Sequence, residues 1–327
     1  MQSAAVRPEP SIERKAAIAN AGARDHAGDV EIVPIPDFDL DRTIFKTLEG
    51  KAARYVQTKR IGREPKWDSE AASKVQAVYE AATEGFDLPP VAPELLQFLL
   101  DECDFDVEHA EGSFLDHLYF CFEYSAKHYP EHSPLVMLLH SILGTGTNTF
   151  AMTADKIPQL QPLLTEFEWR QTEAFPSVLR LLYSGEIREE LLANLHRARD
   201  LKSVKMHRVI DNAPIELSGE DFWVALNYQL IHFVDFMPVA NWAVHMNDTS
   251  YIQFRALYEL LQKVGRHDAN VTYTAPSGVA RAVREPKGLG DRLVKAIPVG
   301  ISETMAAKSV RRFSKRIGHS LDYTLVW

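Results

Sequence analysis

Cysteine is scarce in this chain of 327 residues and occurs only as Cys103 and Cys121. The two cysteines form no CxxC or zinc-finger spacing, so the sequence shows no disulfide framework and no thiolate zinc motif. A run of roughly 18 consecutive apolar residues, the length that a transmembrane helix requires, is also missing. The first residues are charged and lack the apolar stretch of a signal peptide. We therefore expect a cytoplasmic protein without a transmembrane segment.

The chain also has no excess of basic residues, with 36 Lys and Arg against 45 Asp and Glu. The formal net charge is -9 at pH 7. Because binding to nucleic acid requires a basic surface that neutralises phosphates, this charge predicts no nucleic-acid partner. The chain contains no HExxH, no GxSxG and no GxGxxG in a strand-turn-helix setting, so the common metalloprotease, hydrolase and dinucleotide-binding motifs are excluded.

Strand-like alternation is rare, and residues 270–274 form the best short candidate. Apolar residues recur instead at helical spacing, as in Leu95, Phe98 and Leu99 after the break at Pro89. The sequence predicts an all-α fold in three parts. These are a flexible N-terminal arm over residues 1–36, a helical domain over residues 37–275 and a basic C-terminal extension over residues 276–327.

The C-terminal extension contains ten Lys or Arg and three acidic residues between positions 281 and 316. A helix starting near Ser302 is predicted to carry an apolar stripe at spacings of four, three and four residues, formed by Ala306, Val310, Phe313 and Ile317. Such a basic amphipathic helix is typical of binding to a membrane surface or an acidic partner. Docking onto the acidic body of the same protein is the simpler interpretation, and we favour it.

Three histidines in the central region are the main candidates for chemistry. Ser113 can cap a helix in which Phe114, Leu118 and Cys121 share one side, and this places His117 at the edge of the buried stripe. His109 precedes this helix, from where a loop could fold it back towards the same pocket.

The next predicted helix starts at Ser133-Pro134, continues over residues 135–143 and stops at Gly144. It is apolar on all sides, so His140 lies in the buried last turn. The carbonyl end of a helix favours a cation, either an imidazolium or a bound metal. The alternative is a core histidine that donates to a backbone carbonyl.

The pattern Leu115-Asp116-His117-Leu118, followed by Leu138-Leu139-His140-Ser141-Ile142-Leu143-Gly144-Thr145, resembles the HD superfamily of metal-dependent phosphohydrolases and related di-iron oxygenases. It is most similar to an uncharacterised HD-like family with a His-Ser-x-x-Gly-Thr motif, which His109 and Phe150 also match. The resemblance covers the region around residues 100–250 and implies an HD-like helical bundle. It further implies that His117 and His140 bind metal and that a later acidic position completes the site.

The chain departs from the HD pattern at Ser141, which stands where the motif has aspartate. A hydroxyl is a poor ligand for a hard divalent ion, so a two-metal centre is not expected. His109 is the candidate for the missing ligand. The late position falls on Asp235 or Asn241, which lie six residues apart and point in different directions on an undistorted helix. The segment after His140, residues 144–149, could contact a polar ligand or form a solvated turn.

Together these features predict a metal-dependent enzyme that acts on a small polar substrate by hydrolysis or oxygenation. The cofactor would be a divalent iron, zinc or manganese ion held by His117, His140 and either Asp235 or Asn241. The candidate catalytic residues are His109, Asp116, Ser141 and Thr145. The alternative is a metal-free small-molecule-binding or interaction protein on a degenerate HD scaffold. A homo-oligomer is compatible with either hypothesis.

Overall fold

The structure, a computed structural model, describes residues 88–103, 108–109, 112–146, 151–236, 249–271 and 298–327, together with seven isolated positions before residue 88 and between 271 and 298. Both predicted domain boundaries, at residues 36–37 and 275–276, lie outside these ranges, and so does most of the predicted strand at 270–274. The described residues are mostly helical. No helix among them combines the length and apolarity needed to cross a membrane.

The first described elements surround the central histidine motif. They are helix α1 (Pro93–Glu102), the short strands β1 (Glu108–His109) and β2 (Gly112–Ser113), helix α2 (Phe114–His128) and helix α3 (Leu135–Leu139). The two strands pair antiparallel directly before α2. Leu95, Phe98 and Leu99 are buried on α1, as their spacing predicts.

Helix α3 is shorter than the sequence predicts. It ends at Leu139, and residues 140–143 form turns that end at Gly144, whose φ is 134°. Ser133 does not cap this helix, because its hydroxyl donates to a carboxylate oxygen of Glu168 at 2.5 Å. The histidine of the motif therefore follows the helix as its C-cap residue instead of lying inside its last turn.

The elements of the second half form the body of the fold. They are α4 (Ile157–Leu160), α5 (Glu166–Ser184), α6 (Glu186–Ala193), β3 (Ser203–His207), β4 (Pro214–Ser218), α7 (Gly219–Phe236), α8 (Thr249–Val264), α9 (Val299–Ile317) and β5 (Thr324–Val326). Short 3₁₀ turns at Ala154–Lys156, Gln161–Leu163 and Leu195–Asp200 connect them. Helix α5 begins at a capping box, in which Thr165 and Glu168 satisfy each other's backbone N–H groups.

An antiparallel three-stranded sheet with the order β4-β3-β5 corrects the all-α prediction. Val204 is paired with Leu217 on one side and with Leu325 on the other, and all three side chains are buried. The helical class itself is correct, and the sheet is a small addition on one side of the helices.

The buried apolar side chains form two clusters. The larger one joins α2, α5, α7 and α8 to the sheet, and Phe175, Trp223 and Phe254 are among its fully buried rings. The smaller one joins α1, α3 and the segment of residues 151–169 to the opposite side of α2, around Phe122 and Leu139. Helix α2 thus lies between both clusters, and most of its described side chains, including His117 and Cys121, are buried.

The C-terminal helix docks on the body of the protein. Val310 and Phe313 are buried, and Arg311 contacts Glu186 of α6 at 2.7 Å while Arg188 of α6 contacts Glu303 at 2.9 Å. Of the two interpretations of this basic helix, binding to an external surface and docking onto the body of the same protein, the contacts agree with the second. Strand β5 follows α9 and pairs with β3, so the last residues of the chain are part of the sheet.

Candidate metal centre

Helix α2 contributes two of the candidate ligands. His117 and Cys121 are four residues apart and therefore lie on the same side of the helix. The Cys121 sulfur is 3.9 Å from Nδ1 of His117, and the two residues have exposed fractions of 0% and 5%, respectively. The sequence pattern placed Cys121 in the core; the structure also places it beside the histidine.

His140, which directly follows α3, contributes the third candidate ligand. Its Nδ1 lies 2.7 Å from the carbonyl oxygen of Met137, and since a carbonyl can only accept, this nitrogen carries the hydrogen. The hydrogen bond fixes the orientation of the ring and directs Nε2 away from the α3 backbone. Nε2 of His140 then lies 3.0 Å from Nε2 of His117. The two imidazoles that the sequence predicts to meet in one cavity are thus in direct contact.

A third imidazole, that of His232 on α7, lies against both rings. Its centroid is 5.0 Å from that of His117 and 4.9 Å from that of His140, and the ring is buried. Helix α7 is held at this place by Gln229, whose amide donates to the carbonyl oxygen of Phe175 at 2.9 Å. Phe175 in turn packs on His140 with a centroid distance of 4.7 Å. The local sequence does not indicate this role for His232, because its position near the other two rings depends on contacts between distant helices.

Among the described residues, His117, Cys121 and His140 form a group whose ligand atoms all lie within 4.8 Å of one another. Two nitrogens bound tetrahedrally to one ion at about 2.0–2.1 Å are separated by about 3.3 Å. The observed separation of 3.0 Å between the two Nε2 atoms is close to that value. The Cys121 sulfur lies 3.9 Å from the other nitrogen of His117, Nδ1, so binding to an ion at the two Nε2 atoms requires the Cys121 side chain or the His117 ring to reorient. The group therefore fits one ion better than two.

The same atoms also form a plausible hydrogen-bond chain without any metal. With its hydrogen on Nδ1, neutral His140 can accept at Nε2 from Nε2–H of His117. Nδ1 of His117 would then face the Cys121 thiol, which is a weak donor at 3.9 Å. This arrangement satisfies the polar atoms of His117 and His140 without an ion.

Ser141 and Thr145, two of the predicted catalytic residues, are buried at 4% and 6% exposure. The Ser141 carbonyl accepts from the N–H of Gly144 and closes the turn after His140. The Thr145 carbonyl accepts from Nε and Nη2 of Arg180, at 3.0 and 2.8 Å. Arg180 thereby holds the segment that leaves the candidate metal centre.

The remaining predicted site residues are placed only in part. His109 pairs with Gly112 in the hairpin before α2, Asp116 precedes His117 on α2, and Asp235 follows His232 by three residues on α7. The side chains of these three residues lie outside the described part of the structure, as does Asn241 altogether. Their predicted roles stay predictions.

The comparisons of this chain with protein-family models, with curated proteins and with solved structures find no match.

Proposed function

We propose that this protein is a metal-dependent enzyme that holds a single divalent transition metal through His117, Cys121 and His140. The observation that carries the proposal is the convergence of these three side chains within 4.8 Å at a site where all three are buried. Imidazole and thiolate are the ligands that transition metals bind most readily in proteins.

The donor set favours zinc, with iron second, among the three metals that the sequence predicts. Thiolate and imidazole suit zinc and iron, whereas manganese prefers carboxylate and carbonyl oxygens. Three protein ligands leave a fourth position of a tetrahedral zinc ion for water or substrate, as in catalytic zinc sites. Ser141 in place of the HD aspartate supports one ion, because the bridging carboxylate of a two-metal centre is missing from that position.

The reaction that fits such a centre best is hydrolysis of a small polar substrate. A zinc ion lowers the pKa of its bound water to about 7 and so supplies hydroxide at neutral pH, whereas iron would supply oxygen chemistry. The helical scaffold and the two histidines, one on α2 and one directly after α3, support an HD-like fold for this centre. The hydroxyl-bearing turn after His140 would contact the substrate, with Ser141 and Thr145 as the nearest candidates.

A metal-free binding protein on the same scaffold is the second candidate function. The 3.0 Å contact between His117 and His140 favours it, because a direct N–H···N hydrogen bond has this length. In that case the histidines act as hydrogen-bond donors and acceptors for a ligand, and Cys121 is a core residue.

Metal titration of the full chain distinguishes the two functions. After treatment with a chelator, we expect the protein to bind one Zn²⁺ per chain in isothermal titration calorimetry. His117→Ala and His140→Ala should each weaken this binding about 100-fold or more, because the binding free energy of a zinc site is shared among few ligands. Cys121→Ser should weaken it at least about tenfold.

The matched control is His196→Ala, which removes an exposed histidine far along the chain from the three ligands. It should leave Zn²⁺ binding unchanged. The proposal of a metal centre is contradicted if the wild-type chain binds neither zinc nor iron, or if His140→Ala binds zinc as tightly as the wild type. Either result favours the metal-free function.

A further inference from the structure

A second cleft lies at the other end of α2. It has a volume of about 480 Å³ and opens between the C-terminal end of α2, the beginnings of α5 and α7, and the residues that follow α8. Tyr129 in this cleft is twelve residues beyond His117, which corresponds to about 18 Å along a helix axis. The cleft is therefore separate from the candidate metal centre, and the inference below does not depend on that proposal.

One wall of the cleft is aromatic. The ring of His132 stacks on Phe167 with a centroid distance of 5.5 Å and an interplanar angle of 20°. The centroid of the Tyr129 ring lies 4.7 Å from that of His132. Burial lowers the pKa of His132, so this ring is neutral at pH 7 and does not repel a cation. Aromatic faces attract cations through their quadrupole.

The remaining lining is acidic. Four carboxylates and one guanidinium line the cleft: Glu131, Glu220, Asp221, Asp268 and Arg266. Arg266 forms two hydrogen bonds to Glu220. Arg170, from outside the lining, approaches Asp221 at 3.3 Å. Two guanidinium groups thus face four carboxylates, and negative charge remains.

The acids alone would not indicate a ligand. Glu220 and Asp221 lie in the first turn of α7, where carboxylates stabilise the positive end of the helix dipole. These two carboxylates are thus explained by the helix itself.

The hydroxyl of Tyr129 is the feature of the cleft that indicates a ligand. The residue is only 1% exposed, and its oxygen has no hydrogen-bond partner in the described part of the chain. Burial and the nearby negative charge of Asp268 raise the pKa of this phenol, so it is protonated at neutral pH. Tyr129 lines the cleft together with Asp268, Arg266 and Glu131. Leaving a buried hydroxyl unsatisfied costs about 1–3 kcal/mol, a cost that a bound ligand would remove.

We propose that this cleft binds a small organic cation that carries N–H groups, such as an amine, an amidine or a guanidine. The aromatic wall contacts the face of the cation, and the excess carboxylates neutralise its charge. An N–H group donates to the Tyr129 oxygen. A quaternary ammonium ion has no hydrogen for this last contact and is a weaker fit.

Calorimetry with two cations and one neutral analogue tests the proposal on the full chain. Benzamidine and agmatine should bind, whereas benzamide, the neutral analogue of benzamidine, should bind at least tenfold more weakly. Tyr129→Phe removes only the hydroxyl and should weaken benzamidine binding about fivefold, the equivalent of one hydrogen bond. Because the hydroxyl is unsatisfied in the free protein, Tyr129→Phe should leave the melting temperature unchanged or raised.

Tyr323→Phe is the matched control, since the Tyr323 hydroxyl donates to Glu190 at 2.8 Å outside the cleft. It should leave benzamidine binding unchanged. Asp268→Asn should weaken benzamidine binding about fivefold and leave benzamide binding unaffected. The proposal is overturned if neither cation binds, if benzamide binds as tightly as benzamidine, or if Tyr129→Phe binds benzamidine like the wild type. None of these outcomes alters the zinc titration.

Discussion

Arg180→Met should lower the free energy of unfolding by about 2–4 kcal/mol, the largest effect that we expect from a single side chain outside the candidate metal centre. Arg180 lies in the C-terminal half of α5 with no exposed surface. Its guanidinium donates twice to the Thr145 carbonyl and once to the Ser314 hydroxyl, at 3.1 Å. Methionine keeps the apolar stem but leaves both buried acceptors without this donor. The result should appear in urea denaturation at pH 7.

Burial also lowers the pKa of Arg180 to about 10. Arg180 therefore stays charged at pH 7, but the fold has already overcome a desolvation penalty to bury it. Arg180→Lys keeps the charge and loses the planar pair of donors, so it should recover only part of the stability. Arg312→Met, at an exposed position of α9, serves as the control and should change stability by less than about 0.5 kcal/mol. If Arg180→Met unfolds at the same urea concentration as the wild type, the structural role assigned to the guanidinium is contradicted.

Between pH 7 and pH 4 the protein should lose about 3 kcal/mol of stability through His319 alone. Burial lowers the pKa of this histidine from 6.5 to about 4. Over that range the unfolded chain binds a proton at this residue and the folded chain does not. Stability therefore rises with pH, is fully present above about pH 6.5, and is lost as the pH falls towards 4.

The location of His319 explains why protonation is unfavourable there. The residue is 5% exposed, and its Nε2 donates to the His207 carbonyl at the end of β3, at 2.9 Å. The positive charge of Arg180 nearby adds to the effect of burial. His319→Gln keeps a hydrogen-bond donor without a titrating group. Denaturation midpoints measured at intervals from pH 4 to pH 7 should thus depend less on pH in His319→Gln than in the wild type. An equal slope in both proteins would show that other groups cause the dependence.

Much of the helical part of the fold can be predicted from the sequence. The apolar residues of α1 and α9 recur at three and four residues, and each helix buries the side that this spacing indicates. The ends of α3 were harder to place, because an apolar run continues past Leu139 while the chain already turns. Hydrophobicity shows that these residues are buried, but it does not show where the backbone leaves the helix.

The sheet could not be predicted with the same ease. Strand β3 does alternate, with Val204 and Met206 buried between more exposed neighbours, but the pattern is only five residues long. Its partner β5 is more than a hundred residues away and only three residues long. Short strands that are joined across such a distance carry little local information, because their pairing depends on the packing of α7 and α5 against the sheet.

Some residues of the candidate metal centre could likewise be predicted from the sequence, and others could not. His117 and His140 could be predicted because each belongs to a strongly apolar stretch of sequence and to the motif on which the resemblance to the HD superfamily rests. Cys121 had a usable indication, since it is four residues after His117 on one side of α2. His232 had none, because its place beside the other rings follows from the docking of α7 on α5 through Gln229 and Phe175.

The central claim is that two imidazoles and one thiolate bind a common ion, and cobalt substitution tests it most directly. Co²⁺ replaces Zn²⁺ in tetrahedral sites, and a bound thiolate adds an intense sulfur-to-cobalt charge-transfer absorption in the near ultraviolet. We predict that the chelator-treated chain loaded with one equivalent of Co²⁺ shows this absorption, and that Cys121→Ser abolishes it while weaker visible bands remain. Failure of the wild-type chain to bind Co²⁺, or bound Co²⁺ without the charge-transfer absorption, would contradict the proposed centre.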